Sequence, residues 1–386
     1  MQRFYMMQNK ISAESIYIHV PFCETKCSYC DFASWAKKEH LIDKYFDALI
    51  FEIKTKCSAY FACSEPGLAT MIKTIFIGGG TPSLISPEYY EKLFGELKKH
   101  FTFDNNCEIT MELNPGTAKD DYLEGYKKLG INRISIGVQS FSEKILKTFG
   151  RKHSVIDTVE AIEKVKKAGI KNFNLDFIYA APGITKEIWG DSVYRALEFE
   201  PKHISAYSLI IEPNTLFEKI YKNQELLPSD DFAYDLYFDL CSILKENDFV
   251  HYEISNFAIP GYESKHNINY WQAKEFFAFG AGAHRYLNKL RTNNIRDLET
   301  YISCPNLENI IDFQTSEKFE KIMLNSRLNA GFELDLIKEV TTKSHKDITK
   351  LLNDLSNEGY LELLNNKIYL TDKGLFVNNE ILLKLI

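Results

Sequence analysis

Hydrophobic residues recur along the first half of the chain in short runs rich in β-branched and aromatic side chains, and each run is followed by a longer amphipathic stretch. Runs of this kind predict β-strands, and the stretches between them predict helices. The predicted strands lie at 16–20, 73–77, 108–113, 133–138, 172–178 and 203–210. The predicted helices lie at 40–56, 87–100, 118–129, 143–149, 154–168 and 186–199.

This repeat of strand and helix predicts parallel strands joined by helical crossovers, which fits either an open doubly wound sheet or a barrel-like sheet. We favour the barrel, because chemically suggestive residues follow several of the predicted strand ends. The rim at the carboxyl ends of the strands is where such barrels carry their sites. The fold class is therefore predicted to be α/β, with a partial (β/α)6 barrel over residues 1–211.

The pattern changes after residue 211. The predicted elements there are helices at 230–246, 317–328, 335–339 and 346–358, and strands at 250–255, 360–364 and 367–370. An aromatic-rich segment at 262–286 fits neither a linker nor a repeat, so residues 212–315 are predicted to be an α+β extension. Asn365 and Asn366 predict a hairpin turn. Helices followed by a hairpin indicate a small winged-helix-like domain at 316–386.

Composition narrows the functional class. The chain has 386 residues, 45% of them hydrophobic, and a net charge of −7, which predicts a folded protein and disfavours nucleic acid as a partner. Its apolar runs are far shorter than the roughly 18 residues of a membrane span. The first ten residues are polar and lack the apolar core of a secretory signal. We therefore expect a cytoplasmic protein.

In a reducing compartment the eight cysteines are expected to be thiols or metal ligands. Five are scattered singly, and we expect no role for them: Cys57, Cys63, Cys107, Cys241 and Cys304. The other three, Cys23, Cys27 and Cys30, form a CxxxCxxC array directly after the first predicted strand. Zinc would require a fourth ligand, and none stands close. Three thiolates on a short loop favour a [4Fe–4S] cluster with one open iron.

The residues around this array, from Tyr17 through Tyr29 to Phe32, resemble the start of the radical S-adenosylmethionine (SAM) enzymes, in the branch of the oxygen-independent coproporphyrinogen III oxidases. The resemblance implies that SAM chelates the open iron through its amino and carboxylate groups. It also implies that one electron from the cluster cleaves SAM to methionine and a 5′-deoxyadenosyl radical. The cofactors would carry the chemistry, and the protein would bind and orient them.

Further motifs of the first domain are similar to those of the same superfamily. The Gly-rich turn at 78–82 resembles the GGGTP turn that approaches the SAM amino group, and Glu112 matches a SAM-contacting glutamate. The cofactor-binding residues implied by the resemblance are Tyr17, Tyr29, Gly79, Gly80, Thr81, Glu112, Gln139, Arg151 and Asp176. Each alone is more often structural than catalytic, and their shared placement at the carboxyl rim of successive strands favours the functional interpretation. The segment at 178–183 departs from the family, because it carries Ala-Ala where Gly-Leu is usual.

Two features separate the oxidases from their sister branch, the HemW-type heme chaperones. The oxidases carry a further Cys two residues after the third ligand, where this chain has Phe32, and a long segment ahead of the cluster, where it has 22 residues before Cys23. The sister branch shows an HNxxYW motif, which here spans 266–271. An imidazole ligates heme iron, and Tyr270 and Trp271 offer flat faces to a porphyrin.

The resemblance therefore implies heme as a third cofactor, with His266 as the first candidate for its iron ligand. It also implies a heme-acceptor protein, an electron donor protein, and peripheral membrane contact through the acceptor. Three hypotheses remain open at this point. They are a heme chaperone, which we favour, an oxygen-independent coproporphyrinogen III oxidase, and a different radical SAM enzyme.

Overall fold

The computed structural model describes residues 12–61, 70–223, 226–311 and 316–386. The polar start of the chain and Cys63 lie outside the described residues. The strands are β1 (Ser15–Val20), β2 (Phe22–Cys23), β3 (Trp35–Ala36), β4 (Thr70–Gly79), β5 (Phe101–Leu113), β6 (Arg133–Gln139), β7 (Asn172–Tyr179), β8 (His203–Ser208), β9 (Val250–Glu253), β10 (Asn256–Ala258), β11 (Phe277–Phe279), β12 (His284–Leu287), β13 (Leu290–Asn294), β14 (Glu308–Ile310), β15 (Phe332–Glu333), β16 (Leu361–Leu364) and β17 (Lys367–Leu370).

The helices alternate with the strands through the first half of the chain and predominate near its end. They are α1 (Ile42–Tyr60), α2 (Pro87–His100), α3 (Asp120–Lys128), α4 (Glu143–Thr148), α5 (Val155–Lys167), α6 (Lys186–Glu198), α7 (Leu216–Ile220), α8 (Asp230–Glu246), α9 (Lys265–Trp271), α10 (Leu298–Ser303), α11 (Glu317–Asn325), α12 (Leu334–Val340), α13 (His345–Asn357), α14 (Asp372–Phe376) and α15 (Asn378–Leu385). None of the helices in the described part of the chain is long and apolar enough to cross a membrane.

The main sheet has nine strands in the order β11-β1-β4-β5-β6-β7-β8-β10-β9. All neighbours from β11 to β8 run parallel, and β10 and β9 add two antiparallel strands at one edge. The parallel strands from β1 to β8 follow their order along the chain, without the reversal that marks a doubly wound sheet. The predicted partial barrel is therefore confirmed.

The two faces of the barrel sheet differ in chemistry. On β6, Ile134, Ile136 and Val138 belong to the hydrophobic core, whereas the alternate positions 133, 135, 137 and 139 line a cavity on the opposite face. This separation follows from the two-residue period of a strand. The barrel interior therefore carries polar side chains, which is the arrangement that a cofactor site requires.

The aromatic segment at 262–286 has a defined place in this fold. Its strand β11 pairs with β1 in parallel and extends the sheet beyond the predicted six strands. Its helix α9 begins at Lys265, and Glu108 of β5 accepts hydrogen bonds from the backbone N–H groups of Lys265 and His266, at 3.3 and 3.2 Å. The HNxxYW motif is thus held against the interior face of the barrel.

Residues 316–386 have a hydrophobic core of their own, built around Ile322, Ile368 and Leu382 among others. A three-stranded sheet in the order β15-β17-β16 packs with the helices α11 to α15. The hairpin turn at Asn365 and Asn366 is confirmed, since both residues adopt positive φ, 51° and 62°. The sequence did not predict β15, α14 or α15.

Candidate functional site

The cysteine array lies on a loop that begins at the end of β2. The N–H of Ser28, inside the array, donates to the carbonyl of Phe149 at 3.0 Å, and the Ser28 carbonyl accepts from the N–H of Phe217 at 2.9 Å. The loop is therefore anchored on one side to the residue after α4 and on the other to α7. Such anchoring keeps the thiols in a fixed arrangement.

All three thiols of the array, those of Cys23, Cys27 and Cys30, face one cavity of about 450 Å³ at the carboxyl ends of the barrel strands. This volume lies within the roughly 300–1,000 Å³ of small-molecule sites. Thr81 Oγ1 lies 3.6 Å from Cys23 Sγ, and Arg151 Nη1 donates to Cys27 Sγ at 3.3 Å. The cavity therefore contains both the thiols and the side chains that donate hydrogen bonds to two of them.

The donor set fits an iron–sulfur cluster better than a single zinc ion. Zinc–sulfur bonds of about 2.3 Å bring zinc ligands to within about 4 Å of one another. In the described part of the chain, the one trio of possible ligand atoms within 4.8 Å of one another lies elsewhere. The three array thiols are therefore more widely spaced than the ligands of one zinc ion, and a cluster of several irons needs this wider spacing.

The Gly-rich turn that follows β4 passes directly beside the thiols. Gly79 has φ of +116°, and a Cβ there would lie 2.5 Å from His19 Cε1. A Cβ on Gly80 would lie 2.6 Å from the carbonyl oxygen of Phe22. Both positions therefore require glycine for close packing against β1 and β2, and the backbone of both residues lines the cavity.

Glu112, at the end of β5, is the carboxylate nearest to this turn. The N–H of Gly79 donates to Glu112 Oε2 at 3.0 Å. The pKa of Glu112 is raised to about 7. Burial is the main cause, the nearby charge of Asp176 acts in the same direction, and the hydrogen bond from Gly79 acts against both. A cationic group bound in the cavity would therefore stabilise the ionised form of Glu112.

Gln139 and Arg151 meet over a bulge in β6. The backbone of Gln139 adopts φ of 66°, a strained conformation for a residue other than glycine, in the strand segment where the register with β7 shifts. Arg151 Nη2 donates to the carbonyl of Gly137 at 2.7 Å. Arg151 Nε is buried without a partner among the described residues, so this guanidinium retains a donor for a ligand.

Asp176, on β7, lies within a network of neutral donors. Ser135 donates to its Oδ2 at 2.8 Å, and the amide of Asn174 donates to its Oδ1 at 2.7 Å. Burial raises the pKa of Asp176, while the hydrogen bonds from Ser135, Asn174 and Ser205 oppose that rise. All four residues line the cavity.

The two predicted tyrosines differ in position. Tyr29 lines the cavity, and its ring meets that of Phe149 edge-on at 5.3 Å. Tyr17 does not line it. The Tyr17 ring stacks on Phe76, which does line the cavity, and the Tyr17 hydroxyl lies 3.0 Å from His19 Nδ1. Tyr17 therefore supports the wall from behind Phe76.

His266 is fully buried and does not line the cavity. Its Nδ1 lies 2.8 Å from Thr74 Oγ1, and its Nε2 lies 2.8 Å from the hydroxyl of Tyr270. Burial lowers the pKa of His266 to about 3, and the charge of Arg133 adds to this effect. Both ring nitrogens have hydrogen-bond neighbours, so ligation of a heme iron by His266 would require displacement of Thr74 or Tyr270.

Several residues of the cavity were not predicted from the sequence. Arg133 and Ser135 line it from β6, Asn174 from β7, and Ser205 from β8. A two-residue period counted backwards along β6 from Gln139 would have found the first two. Asn174 and Ser205 belong to no recognisable motif. Small polar residues are common in strands that carry no functional site, so their presence alone gives no signal.

The mouth of the cavity carries three large apolar side chains among exposed polar residues such as Lys26 and Asp31. Phe32, Tyr207 and Ile210 line it, and their exposed fractions are 64%, 42% and 67%. Exposed aromatic and aliphatic side chains around a cavity are typical of a surface that receives an apolar ligand. Phe32 occupies the position at which the oxidases carry an additional cysteine.

Comparison with known proteins agrees with this geometry. A family model described as the radical SAM superfamily matches residues 66–193. The heme chaperone HemW of Lactococcus lactis is 35% identical over 376 residues, which cover 95% of this chain and 96% of that protein. The chain belongs to the HemW family. HemW of Escherichia coli is 36% identical over 379 residues, with coverage of 96% and 97%.

A solved structure shares the architecture. Coproporphyrinogen III oxidase (HemN) from Escherichia coli, described as a radical SAM enzyme, superimposes with a TM-score of 0.82 and covers 100% of this chain and 92% of its own. The two sequences are 20% identical. This likeness concerns the fold alone, whereas the HemW relatives define the family.

Proposed function

We propose that this chain is a heme chaperone that binds heme, a [4Fe–4S] cluster and SAM, and delivers the heme to an acceptor protein. The observation that carries the proposal is the cavity in which Cys23, Cys27 and Cys30 face the Gly-rich turn and Glu112. Membership of the HemW family supports heme as the cargo. The structural likeness to the oxidase reflects the shared fold.

The residues of the cavity divide into those for the cluster and those for SAM. Cys23, Cys27 and Cys30 supply the thiolates, and Arg151 donates a hydrogen bond to one of them. When bound, the cluster and SAM supply one-electron chemistry. The backbone at 79–81 would approach the amino acid moiety of SAM, and the Glu112 carboxylate would accept a charge-assisted hydrogen bond from its amino group.

Gln139, Arg151 and Asp176 complete the wall of the SAM site. Arg151 Nε and the polar network around Asp176 provide donors and acceptors at the interior of the cavity. Because these side chains are held by neighbouring backbone and side-chain groups, they are oriented before a ligand binds. Such preorganisation reduces the entropic cost of binding.

For the heme iron we propose His284 as the ligand in place of His266. His284 is exposed at the start of β12, and none of the hydrogen bonds between described residues involves its ring. Partial burial lowers the pKa of His284, as do Arg291 and Arg296. The imidazole is therefore neutral at pH 7, which is the form that ligates iron.

The partners of this function are an acceptor protein for heme and an electron donor protein for the cluster. We propose that the chain works in the cytoplasm and meets the membrane only at its periphery, through the acceptor. Nucleic acid is not a partner in this proposal, since the chain carries a net charge of −7.

A heme titration of the anaerobically reconstituted protein tests the proposal. The expected result is saturable binding of about one heme per chain with a defined Soret band, and with the iron of the cluster retained. Heme that adsorbs without saturation, or that displaces the cluster, would contradict the proposal. A preparation in which Cys23, Cys27 and Cys30 are replaced by Ala separates heme binding from cluster binding.

A further inference from the structure

A second group of metal-type ligands lies outside the cavity, where α8, β9 and α14 meet. Cys241 of α8, His251 of β9 and Asp372 at the start of α14 each offer one ligand atom, and these atoms lie within 4.8 Å of one another. Cys241 and His251 lie on consecutive elements, whereas Asp372 follows His251 by 121 residues. The packing of residues 316–386 against the barrel brings Asp372 to the other two.

His251 is the residue that points to a ligand. Only 8% of its side-chain surface is exposed, and its ring stacks on Phe257 with centroids 4.2 Å apart. Its Nδ1 lies 2.7 Å from Asp372 Oδ1, so these two atoms face each other and are the pair that one ion would share. The ion would take the place of the proton in this hydrogen bond, because metal ligands must be deprotonated.

Two groups accompany His251 in this cluster. The Cys241 thiol is buried, and burial, followed by the charge of Asp372, raises the pKa of that thiol, so the thiol is protonated until a cation binds. A hydrogen bond with Tyr237, one turn earlier on α8, opposes this rise. The Asp372 side chain is 44% exposed and opens the group to solvent.

We propose that Cys241, His251 and Asp372 bind one divalent ion of the zinc type, independently of the cluster site. Thiolate, imidazole and carboxylate are donors that zinc accepts, and three protein ligands leave the fourth position to water. Binding releases the thiol proton to solvent. The charges of the thiolate and the carboxylate then balance that of the ion, and His251 ligates as the neutral imidazole.

The ion would connect two parts of the chain. Cys241 and His251 belong to elements that pack on the barrel, whereas Asp372 begins a helix of the C-terminal core. The backbone of the two parts also meets here, since the N–H of Ile254 donates to the carbonyl of Arg327 at 3.0 Å. Zinc at this junction would stabilise the docked arrangement.

The test uses the full chain with its cluster loaded, so that the array cysteines are occupied. Zinc and iron are counted after equilibration with Zn²⁺ and removal of loosely bound metal. We expect one zinc per chain, its loss in Cys241→Ser and in His251→Gln, and unchanged iron in both variants. Cys304→Ser, at an exposed cysteine, is the matched control and should retain the zinc.

Two further results decide the proposal. Asp372→Asn preserves the size of the side chain and a hydrogen-bond acceptor for His251, and it should weaken zinc binding roughly tenfold or more. Zinc should also raise the melting temperature of the wild type and not that of Cys241→Ser. Absence of zinc from the wild type, or equal zinc in the wild type and both ligand variants, would overturn the site.

Discussion

Arg151 Nη1 donates a hydrogen bond to Cys27 Sγ at 3.3 Å, while its Nη2 donates to the carbonyl of Gly137 at 2.7 Å. The second bond fixes the guanidinium, so that its positive charge stays beside a thiol of the array. Hydrogen bonds to cluster sulfurs and nearby charge are two determinants of the reduction potential of an iron–sulfur cluster. Arg151 therefore links the cluster to the wall of the SAM site.

Replacement of Arg151 by Met is expected to lower the reduction potential of the cluster, because the reduced form loses a hydrogen bond and a neighbouring positive charge. A loss of about 1 kcal/mol corresponds to roughly 40 mV for a one-electron couple. A spectroscopic redox titration measures this shift. Lys152→Met removes the exposed cation next in the chain and should leave the potential unchanged. Equal potentials in all three proteins would refute the role of Arg151.

Replacement of Cys23, Cys27 or Cys30 by Ala should each remove the visible absorption of the cluster and most of its iron. The reason is that these three thiols are the ones that share the cavity. Iron and sulfide analysis after anaerobic reconstitution measures the loss. Cys304→Ala should behave as the wild type. Four irons retained in the triple Ala variant would show that the cluster is held elsewhere.

Glu112→Gln should weaken SAM binding by about 1.5–3 kcal/mol, because a charge-assisted contact becomes a neutral one. The measurement is a SAM titration of the spectrum of the reduced cluster. The amide preserves the shape of the side chain and can still accept the hydrogen bond from Gly79. An unchanged SAM affinity would exclude Glu112 from the binding site.

SAM affinity should also depend on pH. The pKa of Glu112 lies at about 7 in the folded protein, and the ionised form is the one that accepts a charge-assisted hydrogen bond from the amino group of SAM. Affinity is therefore fully present well above pH 7 and declines as the pH falls through 7, by up to roughly tenfold at pH 6. Glu112→Gln should lack this dependence. The same pH profile in both proteins would assign the titration to another group.

Heme binding distinguishes His284 from His266. His284→Ala should weaken heme binding and shift the Soret band. His266→Ala should leave the Soret band unaltered but lower the free energy of unfolding by about 1–3 kcal/mol, since the hydroxyl of Tyr270 loses its partner. Heme titration and urea unfolding of both variants provide the two measurements. A Soret shift in His266→Ala alone would restore His266 as the ligand.

The sequence predicted the barrel well because its determinants are local. The hydrophobic runs of β1, β6 and β7 lie within the strands observed, and helix α2 begins and ends where its amphipathic stretch does. Motifs tied to strand ends placed Glu112, Arg151 and Asp176 correctly in one cavity. Their spacing along the chain is set by the β–α repeat, which the sequence displays directly.

The features that the sequence did not predict arise where contacts join distant parts of the chain. The buried environment of His266 includes a contact with Thr74, almost two hundred residues earlier. Strand β11 pairs with β1 across a similar distance. The trio of Cys241, His251 and Asp372 forms only when the C-terminal core packs on the barrel. No local sequence pattern predicts contacts between such distant residues.

The most direct test of the central claim is one anaerobic assay of the protein loaded with both cluster and heme, with SAM and a reductant, against coproporphyrinogen III. A heme chaperone should retain one equivalent of heme through the assay and form no protoporphyrinogen. We expect this because Phe32 replaces the additional cysteine of the oxidases and lies exposed at the cavity mouth. Conversion of coproporphyrinogen III at enzyme-like turnover, roughly 1 s⁻¹ or faster, would contradict the account and identify an oxidase.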